Sequence, residues 1–457
     1  MDNITNIIKD LCDIIWGWPM ILLLVGTHIF LTFRLKIPQR KLWKGIKLSV
    51  SSDKDSKGDI NQFGALATSL AATIGTGNII GVATAVSLGG PGAIFWCWLT
   101  GLFGIATKYG EGLLAIKYRV RRSNGKMSGG PMYVLERGLG MKWLGVLFCI
   151  FTAIAAFGIG NTVQANAIGE NVSNMMKDII DVNTCKWIVG TIIASIVAIV
   201  IIGGVKSIAK FCSILIPTMS VLYILGCIYI LWVNHSYIWE AICWIVQDAF
   251  SLEAATGGTV GCAIMTTIRF GVARGLFSNE SGMGSAPIIA AAAQTKNPVR
   301  QALIQSTAAF WDTAVICTIT GLVIVTSILA YPEIDLKTTS ILTELAFSKI
   351  PYVGSPILTI GIITFAFSTI IGWEYYGERA IEYLFGNKAI KFYRIAWVFL
   401  TIVGCVLNLD LVWCCADMMN ALMAIPNLLS LLLLSGVLSK ETQYYLWNNH
   451  IDDNIEC

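Results

Sequence analysis

Charged side chains are scarce here: Asp, Glu, Lys and Arg together make up 13% of 457 residues, against 55% hydrophobic. A soluble chain carries about 25% charge, so the composition excludes a water-soluble domain and leaves a polytopic membrane protein. Histidine is scarcer still, with three residues, and neither an H-E-x-x-H string nor a C-x-x-C pair occurs. Metal-dependent hydrolysis and dithiol chemistry therefore lack their usual residues. The 13 cysteines are scattered through apolar stretches and read as small buried hydrophobes rather than a disulfide framework. The first apolar run, 11–33, lacks a small-residue cleavage site, and Asp2, Asp10 and Asp13 outnumber Lys9 before it or at its start. It is a lasting helix rather than a signal peptide.

What the chain does have is long apolar segments. Besides 11–33 they lie near 63–88, 92–116, 143–168, 187–203, 212–233, 256–291, 300–330, 353–384, 392–407 and 411–438, which predicts 11 transmembrane helices in an all-α protein. If the loop after the first helix is cytoplasmic, that side collects 24 of the 32 basic residues, and the other holds only Lys9, Lys177, Lys186, Lys337 and Lys349. The bias predicts an outside N-terminus and a cytoplasmic C-terminus. The net charge of +4 is thus a matter of loop sorting, and it does not point to nucleic acid.

Two segments should not survive as plain helix. The stretch from 63 to 88 carries no charge, yet its centre reads Thr73-Ile74-Gly75-Thr76-Gly77-Asn78. The glycines lower the cost of non-helical backbone, and loose backbone groups are tolerated at membrane depth only around a protein-enclosed cavity. Close helix packing through Gly77-x-x-x-Gly81 is the plainer alternative; a dinucleotide loop would need a strand before it. The second segment, 256–291, contains a glycine- and polar-rich run from Gly275 to Ser285. After the first helix (1–34) and a basic cytoplasmic loop (35–62), ten spans split into repeats at 63–235 and 236–438, with a cytoplasmic tail at 439–457. The broken spans open each half and enter from opposite sides, the signature of an inverted-repeat secondary transporter.

The strings GTGNIIGVATAVSLGGPGAIFWCW (75–98), EGLLAIKYR (111–119), GGPMYVLERGLG (129–140), GNTVQANAI (160–168), GVARGLFSNESGMGSAPIIAAAAQT (271–295) and FAFSTIIGWEYYGERAIEYLFG (365–386) resemble the alanine/glycine:cation symporter family over almost the whole chain. The resemblance implies the fold of the bacterial leucine transporter, a plasma-membrane location and sodium-coupled uptake of alanine or glycine.

A zwitterion needs donors for its carboxylate and acceptors for its ammonium. The amides of Gly75, Thr76, Gly77 and Asn78 begin a half-helix that favours an anion. Carbonyls around Thr73 and Ile74, and at Phe277 and Ser278, can accept from the ammonium. Gln164 is expected at the substrate and Asn161 at the pocket rim; Ser278 and Asn279 are expected either at the substrate or as backbone caps. Ser368 and Thr369 are adjacent hydroxyls in an apolar run, which bond back to their own helix or complete a sodium site. By the resemblance, the carbonyls of Ala71, Ile74 and Phe365 would join them, and Trp373, one turn beyond Thr369, would limit substrate size. Lys108 with Glu111 reads as a local ion pair, Glu280 as a partner of Arg269 or Arg274, and Asp312 as a helix-to-helix hydrogen bond rather than a gating group. Proton coupling is the alternative for the ion, and a channel or membrane-embedded enzyme the alternative class; the partners expected are a small amino acid and lipid, with oligomeric state silent.

Overall fold

Nearly all the structure is helix, as a chain must be where lipid offers its backbone no hydrogen bonds. The computed structural model describes residues 11–12, 14–51, 56–122, 125–251, 260–336, 341–407 and 410–453; Asp2, Lys9, Asp10, Asp13, Lys54 and Lys337, used above, lie outside them. In order come α1 (Trp18–Arg34), α2 (Leu42–Ser49), α3 (Gln62–Thr73), α4 (Val82–Gly89) and α5 (Ala93–Lys117). Next are α6 (Lys142–Met176), α7 (Val182–Ile202), α8 (Gly204–Val233), α9 (Ile238–Ala249), α10 (Val260–Asn279) and α11 (Ala286–Ala290). The last six are α12 (Pro298–Ala330), α13 (Leu342–Ser348), α14 (Gly354–Phe385), α15 (Ala389–Val406), α16 (Asp410–Leu433) and α17 (Ser435–Thr442).

Among the described residues, seven helices are long and apolar enough to cross a membrane: α6, α7, α8, α12, α14, α15 and the Cys414–Leu433 part of α16. Two bent pairs bring the number to as many as nine: α1 with Pro38–Ser49 at 65°, and α3 with Gly77–Gly89 at 52°. Some boundaries differ from expectation for local reasons. Helix α1 starts only at Trp18, where Pro19 occupies the first turn and needs no amide partner. Helix α7 starts early because Asp181 caps it, accepting from the Thr184 amide at 3.0 Å. Helix α8 begins at Gly204, whose φ of 65° makes the corner after α7.

Helix α3 packs on α8 and α14, α10 on α4 and α5, and α12 on α5, so both broken segments lie inside the bundle. Their outer ends are joined: Asp59 N donates to Ala292 O at 2.8 Å and Gln294 N to Ile60 O at 2.8 Å, in a parallel bridge. Arg119 clamps this junction, donating to the carbonyls of Ala291, Ala293 and Lys57.

Candidate functional site

The first break follows from two diverted amides. In an unbroken helix Gly75 N and Asn78 N would close on the carbonyls four residues back, Ala71 O and Ile74 O. Instead Gly75 N donates to Asn78 Oδ1 at 2.9 Å and Asn78 N to Gly75 O at 3.2 Å, and Ile74 is extended with ψ 95°. The released carbonyls turn to α14. Ser368 Oγ lies 3.3 Å from Ala71 O, 3.3 Å from Ile74 O and 2.8 Å from Phe365 O. Thr369 Oγ1 lies 3.4 Å from Ile74 O and 3.1 Å from Phe365 O. The hydroxyls thus bond back along their own helix and also reach across to the break. Five oxygens, all uncharged, converge in a fully buried place.

The second break lies later than the sequence suggests. Gly275 to Asn279 are helical, because Gly275 is a packing residue: a Cβ there would run into Thr100 Oγ1 of α5 and reach Cys97 Cα at 3.2 Å. The unwound part is 280–285, where Glu280, Gly282 and Gly284 have φ of 53°, 88° and 84°, a region glycine tolerates and other residues rarely adopt. Ser281 N goes to Asn279 Oδ1 at 2.9 Å, and Gly282 N and Gly284 N go to Glu111 Oε1 at 3.1 and 3.0 Å. Ser281 N and Gly282 N are therefore withdrawn from Phe277 O and Ser278 O, the carbonyls they would close upon.

The first break touches the last helical turn before the second. A Cβ on Gly77 would meet the Phe277 ring at 3.2 Å and Ser278 Cα at 3.7 Å. Gln164 Oε1 faces Thr76 N at 3.4 Å, with its amide nitrogen held by Ile159 O at 3.1 Å. Trp373 lies against Gly160, where no other side chain would leave it room, and donates from Nε1 to Glu280 Oε1 at 2.9 Å.

Several expected roles change. Asn161 is not at a rim: its Nδ2 donates to Trp397 O at 2.9 Å and its Oδ1 accepts from Thr401 at 3.0 Å, which fastens α6 to α15. Gly75's amide, expected at an anion, is taken by Asn78, while the Thr73 hydroxyl bonds back to Ser69 O and Leu70 O. Asn279 takes the capping alternative and also donates to Thr313. Glu280 bonds Ser285 Oγ and Trp373 rather than an arginine. No ion pair joins Lys108 to Glu111 among the described residues; Glu111 is an acceptor for the second break, and buried Lys108 lies in electrostatic reach of Glu280, Asp312 and Glu111.

Asp312 of α12 does bond across helices, but at the centre of the site. Its Oδ1 accepts from Asn78 Nδ2 at 2.7 Å, and its Oδ2 from Ser278 Oγ and Thr313 Oγ1 at 2.9 Å each. One carboxylate thus ties both broken segments to α12. The sequence signal for it was an isolated acid in an apolar span, costly unless partnered.

The profile described as the sodium:alanine symporter family matches residues 1–456. A Methanococcus maripaludis protein named sodium/alanine symporter AgcS is 50% identical over 452 residues, 97% of each chain. A Bacillus subtilis protein named probable sodium/glutamine symporter GlnT is 38% identical, over 96% of this chain and 89% of its own. Among solved structures, MhsT in complex with L-phenylalanine aligns with a TM-score of 0.60 at 15% identity, over 81% of this chain and 89% of that one, which shows a leucine-transporter-like fold. The family and the relative named sodium/alanine symporter are transporters rather than enzymes, with sodium as the coupling ion. The chain is a member of the sodium:alanine symporter family.

Proposed function

We propose that the protein takes up a small neutral amino acid, alanine or glycine, together with sodium by alternating access, through 11 transmembrane helices arranged as an N-terminal helix and a five-plus-five inverted repeat. The N-terminus is outside and the C-terminus cytoplasmic, in the plasma membrane. The observation that carries this reading is the oxygen cluster of Ala71, Ile74, Phe365, Ser368 and Thr369, since two of its members are carbonyls that the first break releases. Unwound carbonyls and adjacent hydroxyls are how such folds hold sodium. The substrate carboxylate meets the Gly77 amide at the head of the half-helix and displaces Gln164 Oε1, 3.4 Å away, from the Thr76 amide. Its ammonium meets the Ser278 carbonyl, with that of Phe277 alongside, and Thr369 and Trp373 bound the remaining space.

Entry is from a cavity of about 140 Å³ lined by Trp16, Phe270, Arg274, Phe277 and Asp417, with Phe277 between it and the first break. Release to the cytoplasm requires the Ile60–Ala293 bridge and its Arg119 clamp to part. Sodium bound between α3 and α14 fixes the first break in place, so substrate affinity and sodium concentration are linked. Replacing sodium by choline in proteoliposomes tests the coupling: uptake should vanish, whereas persistent accumulation driven by a proton gradient would transfer the assignment to protons.

Two side-chain tests follow. Ser368→Ala and Thr369→Ala each remove one oxygen ligand. Losing one polar contact costs about 1–1.5 kcal/mol, so the sodium concentration for half-maximal uptake should rise about tenfold with maximal rate little changed; unaltered sodium dependence would remove the pair from the site. Trp373→Leu should let leucine or valine compete with labelled alanine. A selectivity identical to the parent's would place the indole outside the pocket.

A further inference from the structure

The chain after α17 lies against the bundle, next to the bridge that joins the two broken segments. Residues Gln443–Trp447 add a further helical turn, and Ile451 is 1% exposed within the main core. Trp447 Nε1 donates to Leu35 O at 3.2 Å and Lys36 Nζ to Gln443 Oε1 at 2.9 Å, which fastens the stretch just past α1. Its far end is fastened to α12. Asn297, the N-cap of that helix, donates from Nδ2 to Ile451 O at 2.8 Å and to Asp453 O at 2.9 Å. Asn297 follows closely on Ala293 of the bridge, so these contacts hold the 451–453 segment beside it.

One side chain carries the contact across the junction. Arg300 Nη1 pairs with Asp452 Oδ1 at 2.6 Å, while its Nη2 donates to Ser51 Oγ at 3.1 Å. Ser51 Oγ in turn lies 3.5 Å from Oε1 of Gln62, the first residue of α3. A guanidinium presents its N–H groups in fixed directions, so turning one group toward Asp452 aims another at Ser51. Arg300 is 5% exposed, and the carboxylate both offsets its buried charge and sets its direction. The Asp452 side chain is 74% exposed, and an ion pair so open to water adds little by itself. Its effect is on where Arg300 points.

We propose that residues 448–453 form a strap that opposes parting of the junction, with Asp452 as a positioning residue acting through Arg300 on the segment that leads into α3. Opening toward the cytoplasm then loosens three ties, the Ile60–Ala293 bridge, the Arg119 clamp and the Arg300–Ser51 contact, and the last of them is set by the strap. The inference rests on the reading above in which this junction opens for release.

Hydrogen–deuterium exchange of the purified full chain in detergent, without sodium, tests the strap at the bridge amides of Asp59, Ile60 and Gln294. Asp452→Ala should speed their exchange about two- to fivefold, as loss of an exposed ion pair implies, and Asp452→Glu, which keeps a carboxylate, should fall between it and the parent. Ile451→Ala, which empties a core position, should speed it about tenfold or more. Exchange in α7, on which none of these contacts falls, should not change. Unaltered exchange at the three amides in Asp452→Ala and Ile451→Ala overturns the proposal, as does an equal acceleration in α7, which would make the segment a general stabiliser. In proteoliposomes the alanine half-saturation should shift in step with the exchange, because fewer carriers then face the substrate. Faster exchange with an unchanged half-saturation would keep the strap and remove the junction from the release path.

Discussion

Asp312→Ala is expected to cut sodium-driven alanine uptake by about 100-fold or more. The substitution removes the acceptor shared by Asn78 Nδ2, Ser278 Oγ and Thr313 Oγ1, all buried. In the alanine variant Asn78 Nδ2 keeps only Asp312 O at 3.4 Å and Cys317 Sγ at 3.3 Å, and Ser278 Oγ keeps only Cys317 Sγ at 3.2 Å; losing the good acceptor costs about 1–3 kcal/mol per buried donor, and three such losses exceed the roughly 2.7 kcal/mol that a 100-fold change represents. The loss should fall on transport more than on folding, because the three donors belong to the two segments that hold the site. Asp312→Asn keeps one acceptor oxygen and should lie between, near a tenfold loss. Proteoliposome uptake, with size-exclusion profiles to confirm folded protein, measures both; full activity in Asp312→Ala would reduce this carboxylate to a bystander.

The same carboxylate marks where the sequence stopped being legible. An acid alone in an apolar span announces that it has a partner, but which helices supply partners is a matter of tertiary packing. The first break was readable because its cause is local: Asn78 lies three residues from Gly75, close enough to take its amide and free the carbonyl behind it. The Ser368–Thr369 pair was readable as a candidate for the same reason, although the resemblance, and not its spacing, named the partners across the bundle. At the second break, glycine content misled. Gly275 and Gly282 look alike in sequence, yet one lets α10 approach α5 and the other takes a φ of 88°. Asn161 and Gln164 also look alike, three residues apart on one helix. Asn161 meets α15 and Gln164 meets the break, a difference of about 60° around the helix that no composition encodes.

That ambiguity of glycine makes the sharpest test of the first break. A methyl on Gly75 would press on Thr369 Oγ1 and lie 3.4 Å from Gln164 Oε1, filling the space between break and α14. The neighbouring hydroxyl stands on a rigid buried helix and is itself bonded to Ile74 O and Phe365 O, so it has little freedom to move aside. Overpacking of this kind costs about 1–3 kcal/mol, and Gly75→Ala should lose roughly 10- to 100-fold in uptake, with sodium affinity weakened in step. At Gly81 the nearest atoms to an added Cβ are Arg274 Cδ at 3.9 Å and Thr76 O at 4.0 Å, ordinary contacts that a methyl accepts. Gly81→Ala should therefore transport within about twofold of the parent, since surplus strain there is near zero. A G-x-x-x-G packing interface predicts the reverse, with Gly81 as sensitive as Gly77 and Gly75 spared. Measured side by side for uptake and for sodium half-saturation, damage at 81 with 75 spared would mean that the glycines serve helix contact, and the break would lose its claim to the ligand.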